Sequence, residues 1–349
     1  MSKDEHSGGA EQARLLCRRW IMVKRDIEAY FEETVVPLIA REHPEVMAEM
    51  SVMVQGSIGS GIDDELSDLD VELYLPEKVW KKHGGQLMLT LLNKLEPFVA
   101  HPYSRPSWDP YDWHRFRHSE IAVNPLSQLL CGQAEAVLAG TRDVDWEAVA
   151  QENLLQLQIH PVLRDAHDAL ARLREATAPS RYPEWLWVKR LICELEDLLG
   201  EPEALEKAVR RGRPQEAQMI LGHIVPGLFR VAFLVNRRYY PWRRCMLRLL
   251  KELPAGPAEL LGDFEALGSA ADWNEKCEAV NRIVRVLTKE ILDSGMLTPD
   301  MLMFLLDAKR ERAWESPDWM EKRRAGGRRA EEAGCDWLDG WIWSRWEWK

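Results

Sequence analysis

A glycine–serine turn, ten further residues and two aspartates one residue apart constrain this chain more than any other feature of its sequence. The stretch runs Val54-Gln-Gly-Ser-Ile-Gly-Ser-Gly-Ile-Asp-Asp-Glu-Leu-Ser-Asp-Leu-Asp-Val-Glu-Leu-Tyr74. Met50 to Gln55 is a short apolar run that reads as a strand. At its end, Gly56-Ser57 forms a tight turn whose backbone amides can approach a ligand. Ser67 to Leu75 alternates acids with aliphatics, the period-two pattern of a half-buried strand, and Pro76 closes it. Asp68 and Asp70 then share one face, with Leu69, Val71 and Leu73 on the other. Two carboxylates so placed repel each other unless a cation lies between them. Their hard oxygens suit Mg²⁺, which commonly takes one or two carboxylates together with substrate phosphates. A phosphate-cradling turn beside such a pair is the equipment of metal-assisted phosphoryl or nucleotidyl transfer. The bland alternative is a solvated acidic face on an edge strand.

Around this stretch the chain reads as α+β. Glu11 to about Arg41 has helical periodicity, and Pro37 kinks or ends it. Residues 77–99 read as a helix and His114 to Val123 as a strand. From about residue 126 helical patterns take over, at 126–139, 152–176, 183–199, 203–236, 243–252 and 273–293. The organisation expected is a small mixed-sheet domain over 1–125, a larger all-helical domain over 126–296, and a charged, Trp-rich extension over 297–349. Seven of the 16 tryptophans fall between Trp314 and Trp348. They read as the seam of a final helix, with a homodimer contact or a ligand-stacking surface as the alternatives.

Gly56-Ser57 followed by Asp68-Leu69-Asp70 resembles the signature of the DNA polymerase β-like nucleotidyltransferase superfamily. With Ser67 before the first acid, it looks like the branches that modify small molecules or proteins. The likeness covers about residues 45–125 and says nothing of the acceptor. Phe233-Leu-Val-Asn-Arg-Arg-Tyr-Tyr-Pro-Trp-Arg-Arg244 resembles the helical domain that follows this catalytic domain in a group of uncharacterised bacterial proteins. There a lysine often follows the Pro-aromatic pair, where this chain has Arg243 and Arg244.

The first resemblance implies a minimal five-stranded mixed sheet backed by helices. It implies that Asp68 and Asp70 bind Mg²⁺, which grips the triphosphate of ATP or another NTP, while Gly56, Ser57 and Ser67 line the nucleotide site. A third acid on a later strand would ligate the metal or act as base for the acceptor hydroxyl. Glu120, at the start of an aliphatic run, is the first candidate for it. Glu72 is the second, because alternation puts it on the Asp68/Asp70 face, and Asp109 and Asp112 fall in a Pro-bounded loop. The implied reaction moves AMP from ATP to a hydroxyl of a small molecule, with release of pyrophosphate. The alternatives are adenylylation of a protein or an RNA 3′ end, and an inactive nucleotide-binding regulator.

Residues 236–244 concentrate Arg237, Arg238, Arg243 and Arg244 in an acidic protein. Arginine forks suit phosphate oxygens, so Arg243 and Arg244 are expected at the nucleotide, and Tyr239, Tyr240 and Trp242 are candidates to stack on a base or an acceptor ring. The competing reading is a helix C-terminus, where arginine complements the dipole and Pro241 stops the helix. His114, His118, His160, His167 and His223 read as satisfied structural histidines.

Composition narrows the field further. The net charge is −11 (46 basic against 57 acidic residues), and no helix-hairpin-helix signature is present, so a DNA partner is not expected. The six cysteines are scattered singly, without the pairs of a zinc ribbon or a disulfide framework. The polar N-terminal residues carry no signal-peptide core, and no unbroken apolar run approaches a membrane span. A cytoplasmic location with no membrane partner is the expectation.

Overall fold

The computed structural model describes residues 27–63, 70–95, 121–254, 257–270, 272–302 and 305. Asp68, Ser67, Glu120, Asp109, Asp112, His114, His118 and the part of the Trp-rich extension after residue 305 lie outside the described residues. The chain divides into two compact units, Met1–Arg181 and Tyr182–Lys349.

The first unit is built on a mixed sheet of four described strands, β1 (Ser51–Gln55), β2 (Asp70–Leu75), β3 (Ile121–Pro125) and β4 (Val162–Arg164), in the order β3-β2-β1-β4. β1 runs antiparallel to β2 and β4, and β2 parallel to β3. β1 is buried at every position, as expected of a central strand. In β2 the alternation has the expected outcome: Val71, Leu73 and Leu75 are buried, while Asp70 and Glu72 are half-buried on the opposite face.

Val52, Val54, Val71, Leu73, Ile121 and Val123 join one core with α1 (Val36–Glu42), the π-helical turn before it (Phe31–Val35) and α3 (Gly85–Lys94). Phe31, Ile39, Leu87 and Leu91 are among its helical members. Each such aliphatic side chain contributes about 1.5–3 kcal/mol by leaving water. Between β1 and β2 lies a single helical turn, α2 (Gly56–Gly59).

The other face of the sheet meets α4 (Gln151–Ile159) and α5 (Ala169–Ala176) through His160 and Arg174. Here the structure departs from the continuous helix expected over 152–176. Helix α4 ends at Ile159 because His160 precedes Pro161, which pushes it into extended geometry (ψ 135°). The Pro161 carbonyl then accepts Val54 N–H at 2.9 Å, and β4 pairs with β1. Asp165 fixes the exit, accepting the Ser51 hydroxyl at 3.3 Å and capping α5 through the Leu170 and Ala171 amides. Residues 126–181, which periodicity places in the helical domain, therefore stand in the first unit.

The second unit is helical: α6 (Glu184–Leu198), α7 (Glu201–Arg210), α8 (Pro214–Val235), α9 (Met246–Leu250), α10 (Pro257–Ser269) and α11 (Trp273–Asp293). The helix expected over 203–236 is two helices, α7 and α8. Gly212, at φ +65°, turns the chain, and Pro214 opens α8. Among the described residues α8 alone is long and apolar enough to cross a membrane, although polar residues interrupt its apolar run. Over half of its most apolar window is buried. Phe229 stacks on Phe264 at 3.9 Å and Gly227 packs on Leu198, the contacts of a core helix.

Candidate functional site

The candidate site gathers where β1 ends and β2 begins. The register sets Gln55 opposite Asp70, Val54 opposite Val71 and Met53 opposite Glu72. β1 leaves the sheet at Gly56, whose φ of +67° is left-handed and suits glycine. The α2 turn is closed by Ser60 N–H to Gly56 O at 3.1 Å and Ile62 N–H to Ser57 O at 3.0 Å. It is pressed onto the acid: a β-carbon on Gly56 would stand 2.2 Å from Asp70 Oδ2. Backbone and carboxylate thus meet with no side chain between them.

Behind the turn, five side chains form a connected polar layer. Tyr74 donates its hydroxyl to Glu72, and Gln55 Nε2 donates to the Tyr74 oxygen at 2.9 Å and approaches Glu72 Oε2 at 3.5 Å. His160 Nδ1 meets Gln55 Oε1 at 2.6 Å, and His160 Nε2 meets Ser60 Oγ at 3.0 Å. Burial, reinforced by the Glu72 charge, pushes the Tyr74 phenol well above its ordinary range, so it stays a donor. Burial and the nearby Arg174 guanidinium lower the His160 pKa to about 3, so the ring is neutral. A buried polar layer with every member bonded holds one arrangement firmly.

Of the expected site residues, the structure brings together Gly56, Ser57 and Asp70, with Glu72 on the same strand face as Asp70. β3 begins at Ile121, which pairs with Val71, the residue after Asp70. The place a Gly56 side chain would take is filled by the Asp70 carboxylate, while the Glu72 carboxylate is engaged by Tyr74 and Gln55. Among the described residues no group of three or more His, Cys, Asp or Glu side chains stands together. Gln55, Tyr74 and Ser60 are members of the polar layer that sequence reasoning misses. His160 is the satisfied structural histidine expected, with both ring nitrogens bonded, but its place in this layer is not foreseen. Alternation does place Tyr74 on the face of Glu72. His160 gives no such sign, because its partner Gln55 lies 105 positions away.

The basic stretch belongs to the second unit. After α8, Arg237 turns left-handed (φ 49°) and its guanidinium grips Glu184 through two bonds, at 2.6 and 3.1 Å. Arg237 is thus the helix-terminal residue of the bland reading. Tyr239 is buried against Tyr182 and Trp187. Tyr240, expected to stack on a base, is only 8% exposed, and Arg230 lies 6.0 Å from its ring centre. The structure instead exposes Trp242 (46%), beside the exposed Arg243 and Arg244.

Residues 146–245 match the model of a domain of unknown function, DUF4037. The matched span includes α4, β4, α5, α6 and α8, as well as His160, Arg174 and the stretch from Arg237 to Arg244. No curated protein matches the chain.

Proposed function

We propose that this protein is a nucleotidyltransferase that moves AMP from ATP onto a hydroxyl of a small molecule. The observation that carries the reading is the approach of Gly56 to Asp70: a backbone turn without a side chain, set directly on a carboxylate. DUF4037 is known in nucleotidyltransferase-like proteins, which supports the same reading.

Asp68 and Asp70 are the residues that would hold Mg²⁺, with Glu120, one residue before Ile121, as the third acid and Glu72 as its alternative. Bound there, Mg²⁺ would screen the triphosphate and stabilise the charge that develops on it. The turn at Gly56 and Ser57 offers its backbone to phosphate oxygens. The acceptor oxygen attacks the α-phosphorus in line, the bond to the β-phosphate oxygen breaks, and pyrophosphate leaves. The acceptor proton passes to the third carboxylate. Within the second unit, Arg243 and Arg244 carry the kind of charge that suits phosphate, and Trp242, not Tyr240, is the exposed ring beside them.

The test is label transfer from α-labelled ATP with Mg²⁺. The full chain is mixed with small-molecule, RNA and protein fractions of a cell extract, beside Asp68→Ala. Label in the small-molecule fraction that requires Asp68 supports the reading. Label in the RNA or protein fraction keeps the chemistry and replaces the acceptor. A folded protein that transfers label from none of the four NTPs sinks it.

A further inference from the structure

Five side chains from three separate stretches of the chain form a single directed run of hydrogen bonds beneath the Gly56–Ser60 turn. Its direction follows from donor counts. Gln55 must use its Nε2 toward Tyr74 and Glu72, so its Oε1 accepts. His160 Nδ1 therefore carries the ring proton, and Nε2 is an acceptor facing the Ser60 hydroxyl at 3.0 Å. Ser60 has one hydroxyl proton: the Gly56 carbonyl, 2.9 Å from the same oxygen, already accepts the Ser60 amide N–H at 3.1 Å, so the hydroxyl proton goes to Nε2. Ser60 thus links the histidine ring to the residue that stands against Asp70.

The ring is itself immobilised. His160 is wholly buried. Arg174 donates to the His160 carbonyl and, through Nε at 2.7 Å, to that of Leu157. Gly59 presses against the ring's other side: a β-carbon there would stand 3.2 Å from His160 Cγ and 2.4 Å from the Val54 carbonyl oxygen. A rigid, neutral ring pinned to β4's entry and bonded to the turn has the properties of a buttress.

We propose that His160 is a positioning residue, which holds the Gly56–Ser60 turn in its ligand-ready shape by accepting the Ser60 hydroxyl while anchored on Gln55. The inference deepens the nucleotidyltransferase reading and rests on it for the ligand, Mg·ATP. It also gives the first part of the matched domain of unknown function a structural role, since that segment completes the sheet edge and braces the turn that β1 delivers.

Two half-mimics separate the arms of the ring. In His160→Gln, the amide oxygen reaches the position of Nε2 and can accept from Ser60. In His160→Asn, the amide nitrogen takes the position of Nδ1 and can donate only to Gln55. Both lose ring packing, so both lower the melting temperature. Two readings on the full chain then distinguish them: exchange of the Ser60, Gly61 and Ile62 amides, which close the turn, and the Kd for Mg·ATP. In His160→Asn these amides should exchange roughly tenfold faster, with a Kd weaker by a similar factor. His160→Gln should stay within about threefold of wild type on both. Ser60→Ala, which keeps the histidine, should behave like His160→Asn and serves if the histidine variants do not fold. Equal exchange and equal affinity in His160→Gln and His160→Asn, or wild-type behaviour in Ser60→Ala, overturns the proposal and leaves the nucleotide reading standing. A wild-type chain that fails to bind Mg·ATP but shows the exchange contrast overturns the nucleotide reading and keeps His160 as the brace of the turn.

Discussion

Gly56 and Asp70 are so close that the space of one β-carbon separates the turn's backbone from the carboxylate: the missing atom would lie 2.2 Å from Asp70 Oδ2. Gly56 also holds φ at +67°, so an alanine there meets strain and collision together. Gly56→Ala should destabilise the protein by about 1–3 kcal/mol and abolish nucleotide transfer, because the carboxylate must move. Gly132→Ala is the control, since Gly132 has φ +90° with nothing within 4 Å of the added carbon. It should show strain, a loss of about 1 kcal/mol in urea unfolding, with transfer retained. Equal losses of activity in the two variants would mean that backbone strain, not the Asp70 contact, governs the site.

Asp68→Ala and Asp70→Ala should each reduce Mg²⁺-dependent transfer by at least about a hundredfold while the fold persists. Removing one of two like charges relieves repulsion in the metal-free protein, so the melting temperature should hold or rise. Thermal unfolding without Mg²⁺ checks this beside the transfer assay. A clear fall in melting temperature for both variants would mark the pair as structural.

The central part of this site is legible in the sequence because its signals are local. The period-two run from Asp70 to Leu75 announces that Val71, Leu73 and Leu75 are buried; β1 begins one residue after the expected start, and β2 is described from Asp70, with 67–69 outside the described residues. What escapes is set by distant pairing. Val162-Leu163-Arg164 is a three-residue strand, half-buried throughout, with no alternation to read; it is a strand because β1 offers it an edge. His160 enters the site only through that pairing. The break between α7 and α8 is a different failure: Gly212-Arg213-Pro214 carries the expected stop and start residues, and apolar periodicity on both sides outweighs them. Tyr240 shows the limit of composition. An aromatic beside arginines suggests stacking on a ligand, whereas its own unit buries the ring with Arg230 nearby.

The buried histidine makes stability depend on acid. His160 is neutral in the folded chain down to a pKa of about 3, while in the unfolded chain it returns to its ordinary value of 6.5. Between those values the unfolded state binds a proton that the native state refuses, so stability falls as pH falls. The slope from this one group approaches about 1.4 kcal/mol per pH unit below pH 6. Urea unfolding at pH 7, 6 and 5 should show a declining midpoint. In His160→Gln the same series should be flatter by about that slope, although the variant starts from a lower stability. Parallel pH series in the two proteins would mean that the folded ring accepts a proton after all.

Arg237 and Arg243 stand six residues apart and should respond differently to truncation. Arg237 is committed to Glu184 by two bonds at the end of α8, in a partly exposed setting where such a pair is worth about 0.2–1 kcal/mol. Arg237→Ala should therefore lower stability by that order and leave Mg·ATP affinity unchanged. Arg243 is exposed next to the exposed Trp242. Arg243→Ala should leave unfolding unchanged and weaken Mg·ATP binding by roughly tenfold, the loss of one charge-assisted contact to phosphate. Arg243→Lys keeps the charge without the fork and should recover only part of the affinity. Titration of Mg·ATP into the three variants decides between the two arginines: unchanged binding in Arg243→Ala removes that residue from the nucleotide site, and a matching loss in Arg237→Ala would show that the shape of the whole turn, rather than one guanidinium, is what the ligand reads.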